Sequence, residues 1–196
     1  MVSYLDTNLT TNDHRLNVFS LSCYTSLMKL CIFAGTFNPI HRAHLKMAQL
    51  ALEEHDFDKI LFIPAFNPPH KDVALAQDRY KMVELAIKNY PKFEISNIEY
   101  KRKGKSYTFL TVTELYKQYD IEGKIHFIIG KDAYENFDSW YRADELKKLI
   151  DFVVFDRIPE DISSSKVRQR IKEHKPIDDL VTKEVGDYIE RHNLYK

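Results

Sequence analysis

Residues Lys29 to Leu50 read KLCIFAGTFNPIHRAHLKMAQL. Leu30 to Ala34 is a short apolar run, of a length that suits a buried parallel strand. Gly35-Thr36-Phe37-Asn38-Pro39 is a tight turn. A helical pattern follows, with Ala43, Met47, Leu50, Ala51 and Glu54 at three-to-four spacing. His41 and His44 stand three apart at its start, and residues so spaced share one helix face. A helix N-terminus offers unpaired N–H groups and the positive end of the dipole, which suits phosphate. Strand, glycine turn and histidine-bearing helix start together propose a site for a nucleotide polyphosphate.

Outward from this stretch the chain alternates strands and helices. Lys59 to Ile63 (KILFI), Lys124 to Ile129 (KIHFII) and Asp151 to Phe155 (DFVVF) read as buried strands. Gln77 to Asn89 is helical, with Met82, Val83, Ala86 and Ile87 on one side. Phe93 to Tyr100 reads as short extended pieces. Ser106 and Thr108 are cap candidates for a helix running to Tyr119. Helical turns are expected over 132–137 and 143–149, and helices over Ser163 to Glu173 and Thr182 to His192. Strands separated by helices of this length imply right-handed β-α-β units. The expected fold class is α/β: a single Rossmann-like, doubly wound domain with a mainly parallel sheet flanked by helices. Ligands of such sheets bind beyond the strand C-termini, where the strand order switches. The loops after Ala34, Ile63, Ile129 and Phe155 all belong to that edge.

With 196 residues, one domain with a sizeable core is the simplest division. Residues 1–27 are rich in Thr, Ser and Asn and show no period; they read as an N-terminal extension, disordered or mis-started, and dispensable for chemistry. The domain proper is 28–196. Asp6, Asp13 and few basic residues argue against a targeting peptide in the extension. Net charge is zero, so no global field draws the protein to nucleic acid or a membrane, and neither is expected as a partner. Cys23 and Cys31 give neither metal spacing nor a disulfide framework. Cys31 reads as a buried thiol, and a cytoplasmic location is expected.

The first turn, Ala34-Gly35-Thr36-Phe37-Asn38-Pro39-Ile40-His41-Arg42-Ala43-His44, resembles the H-x-G-H nucleotidyltransferases, with Ala34 and Ala43 where the usual pattern has glycine. Ile162-Ser163-Ser164-Ser165-Lys166-Val167-Arg168 resembles their second signature, I-S-S-T-x-I-R. Alone, that segment would be an N-capped helix with a surface arginine. Further segments narrow the likeness to nicotinate-mononucleotide adenylyltransferases. Asn67-Pro68-Pro69-His70-Lys71 is similar to the family's P-P-H-[KR] loop, Ser106-Tyr107-Thr108 to its S-Y-T helix start, and Gly130-Lys131-Asp132 to its G-x-D. Trp140-Tyr141 matches its W-Y segment, although a single tryptophan is more often a core residue. The segment between Phe155 and the second signature is shorter than in the family, with only Asp156 to Asp161 left.

The resemblance implies transfer of AMP from ATP to nicotinate mononucleotide, giving deamido-NAD and pyrophosphate. It gives His41, His44 and Arg168 catalytic roles. It implies an ATP site of Gly35, Thr36, Phe37, His41, His44, Gly130, Asp132, Ile162, Ser163, Ser164, Ser165 and Arg168. It implies an acceptor site of Thr36, Phe37, Asn38, His70, Lys71, Tyr107, Thr108 and Trp140. Mg²⁺ is expected with ATP, held mainly by phosphates, and no protein metal site is foreseen. The implied partners are ATP and nicotinate mononucleotide, with a homo-oligomer left open. The rivals are the same chemistry on nicotinamide mononucleotide or phosphopantetheine, and a nucleotide-binding sensor without turnover.

Overall fold

The structure, a computed structural model, describes residues 27–69, 73–156 and 162–196. Its sheet has five strands: β1 (Leu30–Gly35), β2 (Lys59–Pro64), β3 (Phe93–Ile95), β4 (Ile125–Gly130) and β5 (Ile150–Phe155). All neighbours pair in parallel, in the order β3-β2-β1-β4-β5. The chain winds outward from β1 to β3, then crosses to the other side of β1 for β4 and β5. The switch point therefore lies between β1 and β4, where Cys31 and Ile32 pair with His126 and Phe127.

Apolar runs such as LCIF become strands buried on both faces because successive side chains alternate between two cores. Cys31 and Phe33 join a cluster with α1 (Arg42–Glu54), α2 (Ala76–Ile87), α7 (Ser164–Lys172) and α8 (Lys183–Arg191). Leu30 and Ile32 join the opposite cluster, with α3 (Ile98–Arg102), α4 (Thr108–Gln118) and α6 (Ala143–Leu149). Between β4 and α6 lie the short helix α5 (Lys131–Glu135) and a 3₁₀ turn, Phe137–Ser139. Met28 is tied to this frame by a bridge to Ile121.

Two local expectations change. Phe93 to Tyr100 is extended only to Ile95; α3 follows, its Ile98 and Glu99 turned inward. Ser106 does not cap α4. The N-cap is Tyr107, without a side-chain cap bond, because the Ser106 hydroxyl accepts instead from the N–H of Asn67 at 2.9 Å. Thr182 caps α8, and Ser163 caps α7 by accepting from the N–H of Lys166. His70 and Lys71, expected at the acceptor, and the extension 1–26 lie outside the described residues.

Candidate active site

At the C-terminal edge of the sheet, over the switch point, lies a cavity of about 570 Å³. That volume is in the range of small-molecule and cofactor sites. Its floor is the ends of β1, β2 and β4, from Phe33 to Phe37, Ile63 and Phe127 to Gly130. Pro68 and Pro69 line it from the loop after β2, Ser106 to Thr108 from the start of α4, and Ser139 to Tyr141 from the segment before α6.

The turn after β1 is built around ring contacts. Gly35 packs close under the next aromatic ring: a Cβ there would meet the Phe37 ring at 3.1 Å, so the ring would have to shift by a few tenths of an ångström. Phe37 adopts a left-handed backbone with φ of 47°, uncommon for an aromatic residue, and buries its ring. Asn38-Pro39 is a cis peptide. The Phe37 ring meets the edge of His44 at 5.1 Å, and His44 stacks on His41 with centroids 3.6 Å apart. The i, i+3 spacing thus brings the two imidazoles face to face at the start of α1. His44 accepts the backbone N–H of His41 on Nδ1 at 3.2 Å, which leaves the proton of the neutral ring on Nε2. The Nδ1 of His41 is buried and unpartnered.

Both imidazoles are poor proton acceptors. Burial lowers the pKa of His41 to about 4. Burial, and then the neighbouring His41, hold His44 well below the usual histidine range. At neutral pH the pair is uncharged and lined up at a helix N-terminus.

The second signature docks onto the same turn. The Ser164 hydroxyl donates to the carbonyl of Pro39 at 2.8 Å. Arg168 donates through Nη1 to the carbonyl of Asn38 at 2.7 Å and through Nη2 to the Ser165 hydroxyl at 3.3 Å. The Asn38 side-chain oxygen accepts from the Ala74 N–H and from the hydroxyl of Tyr195, near the chain end. Asn38 is therefore the node that joins the first turn, α7 and the C-terminal segment. Ile162 packs against the adjoining core.

On the other side, Asn67 and Ser106 exchange two hydrogen bonds. The Ser106 N–H donates to the Asn67 carbonyl at 3.0 Å, in addition to the hydroxyl bond above. The Pro-Pro loop and the S-Y-T segment thus form one wall. Tyr107 stacks on Tyr141 at 4.6 Å. Trp140, partly buried, faces the cavity with its ring braced by Phe137 and Phe127. No helix among the described residues is long and apolar enough to cross a membrane.

Residues 32–170 match the cytidylyltransferase-like family. The nicotinate-nucleotide adenylyltransferase of Bacillus subtilis (strain 168) is 38% identical over 189 residues, which is 87% of this chain and all of that protein. The chain belongs to the nicotinate-nucleotide adenylyltransferases. A candidate nicotinate-nucleotide adenylyltransferase of known crystal structure, from Vibrio parahaemolyticus, superposes with a TM-score of 0.68 at 25% identity, covering 86% of this chain and 96% of that one. The Plasmodium falciparum nicotinic acid mononucleotide adenylyltransferase, solved in complex with NaAD, shares the fold with a TM-score of 0.66 at 21% identity, covering 85% and 96%.

In this adenylyltransferase chain, Gly35, Thr36, Phe37, His44, Gly130, Tyr107, Thr108 and Trp140 converge on the cavity wall. His41, Asn38, Ser164, Ser165 and Arg168 gather beside it, through the stack and the hydrogen bonds above. Asp132 sits exposed in the first turn of α5, between the lining residues Gly130 and Ala133, without lining the cavity itself. Sequence reasoning missed three polar residues of this edge: Arg79, Glu99 and Tyr195. For Arg79 a signal exists. It lies three and four residues before Met82 and Val83, on the apolar face of α2. Glu99 hid in a segment read as extended, and Tyr195 next to the last residue carries no pattern.

Proposed function

We propose that this chain transfers AMP from ATP to nicotinate mononucleotide, giving nicotinate adenine dinucleotide and pyrophosphate in NAD biosynthesis. The observation that carries the reading is the two-ended cavity at the switch point. One end has His44 of the stacked pair, with the α7 start hydrogen-bonded to the turn beside it; both suit a triphosphate. The other has the α4 start and Trp140, suited to an aromatic ring bearing an anion. The family's B. subtilis member carries this enzyme name, and the P. falciparum neighbour was solved with the product dinucleotide.

The acceptor's phosphate oxygen attacks the α-phosphorus of ATP in line and expels pyrophosphate. The protein's work in such a reaction is positioning and charge stabilisation. His44 donates from Nε2 toward the triphosphate as a neutral imidazole, its Nδ1 being occupied by the His41 N–H. His41 supports it from the face of the stack. Arg168 is fixed by the Asn38 carbonyl and presents the rest of its planar fork to phosphate oxygens. Ser163 to Ser165 open the helix whose first N–H groups meet the same phosphates. Gly130 and Asp132 serve the adenosine ribose, and Thr36, Phe37 and Asn38 lie where the two substrates meet. His70 and Lys71 complete the acceptor side.

Among the described residues no group of three or more His, Cys, Asp or Glu side chains is arranged to hold a metal. The donor set fits Mg²⁺ carried in on the triphosphate and held by phosphate oxygens and water, where it supplies charge neutralisation. We place the enzyme in the cytoplasm, a reducing compartment that suits the buried free thiol of Cys31. Incubation of the purified chain with ATP, Mg²⁺ and nicotinate mononucleotide should yield nicotinate adenine dinucleotide and pyrophosphate in equal amounts. Nucleotide binding without either product would favour a sensor.

A further inference from the structure

Arg79 is fully buried, and its guanidinium is satisfied by four main-chain carbonyls. Nε donates to Ala74 at 3.0 Å, Nη1 to Thr36 at 2.8 Å and to Ala65 at 2.6 Å, and Nη2 to Phe66 at 3.1 Å. These carbonyls belong to three separate segments: the turn after β1, the loop after β2 and the lead into α2. The Phe66 peptide is held from both ends. Its carbonyl takes the Arg79 bond, and its N–H donates to the carboxylate of Glu99 at 3.1 Å. Glu99 is itself 4% exposed and is fixed by the Thr111 hydroxyl at 2.7 Å.

Burying a cation and an anion around one loop peptide is costly, and an apolar residue on this face of α2 would hold the core as well or better. What an apolar residue cannot do is tie the phosphate-side turn to the acceptor-side loop. In-line transfer needs the reacting atoms within about 3–3.5 Å, and a 1 Å misplacement costs roughly 10²-fold. We propose that Arg79 is a positioning residue for the transfer step: through Thr36, Ala65 and Phe66 it fixes the spacing between the two substrate loops, and so seats the acceptor nucleotide. This rests on the adenylyl-transfer reading above.

The test compares the full chain with Arg79→Met, which suits the apolar face, and Arg79→Lys, which keeps charge but not the fork. Both should melt cooperatively, hold the KM for ATP within threefold, raise the KM for nicotinate mononucleotide at least tenfold and lower kcat at least tenfold. Amide hydrogen exchange of Ala65, Phe66 and Asn67 should quicken in both variants, a readout that needs no turnover. Folded variants with unchanged exchange, or with both KM values within threefold of the parent, would overturn the proposal. So would failure of both variants to fold, which would make Arg79 a plain structural residue. Absence of turnover in the parent chain counts against the transfer reading alone, since the exchange result still decides the role of Arg79.

Discussion

At the residue scale the proposed chemistry rests on two imidazoles that burial keeps neutral before substrate arrives. The proposed work of His44 is to donate to charge that develops on the triphosphate. Removing one such preorganised donor costs on the order of 10²–10³ in kcat. His44→Ala should therefore lose activity on that scale in steady-state assays while keeping its circular dichroism spectrum; a loss under threefold would take His44 out of the mechanism. The same burial predicts a pH dependence of stability. In the unfolded chain His41 takes a proton below about pH 6.5, whereas in the fold it resists down to about 4. The unfolded state binds more protons between these values, so stability is complete above pH 6.5 and is lost as pH falls toward 4. Between pH 7 and 5 this group accounts for ~2 kcal/mol. Urea unfolding should show wild type losing more stability over that interval than His41→Asn does. Equal losses would mean that burial does not hold His41 neutral.

At the scale of elements, the site is a meeting of loops held by short-range clasps. The start of α7 is fixed to the cis Asn38–Pro39 turn by Ser164 and Arg168. Arg168→Lys keeps the charge but loses the fork that bonds the turn and that we propose meets phosphate. The KM for ATP should rise about tenfold, the equivalent of ~1.4 kcal/mol, with the acceptor KM little changed. The reverse pattern in substrate-saturation curves would put Arg168 on the acceptor side. This level was partly legible in the sequence. The histidine pair could be placed because i, i+3 spacing fixes which side chains meet on a helix. The Ser163 cap could be placed because a serine before a helical run has a local partner in the backbone. Ser106 could not: its hydroxyl bonds to Asn67, and nothing local distinguishes that from a cap. Asn38, Arg79 and Glu99 each have a hydrogen-bond partner far along the chain, 157, 43 and 33 residues away in turn, beyond the reach of any periodic pattern.

For the whole molecule, alternation carried the fold. Apolar strands three to six residues long, separated by helices, leave few arrangements, and right-handed crossovers reduce them further. The strand order that follows puts the switch point between β1 and β4, so the cavity has to open beside the glycine turn. The α4 start and the Trp140 segment reach that cavity from the opposite side of the sheet from α1 and α7, which is why it has two chemically different ends. The end at Ser106 to Thr108 decides the central claim. Backbone N–H groups of a helix start donate to both oxygens of a carboxylate and meet its charge with the positive dipole end. A carboxamide would turn its NH₂ toward donors that cannot reorient, leaving a buried group unpaired at ~1–3 kcal/mol. Trp140 offers the same stacking surface to either ring and does not discriminate. The decisive measurement is kcat/KM with ATP for nicotinate mononucleotide against nicotinamide mononucleotide, by pyrophosphate release. The account predicts a value at least about tenfold higher for the acid, and equal values or a preference for the amide would contradict it.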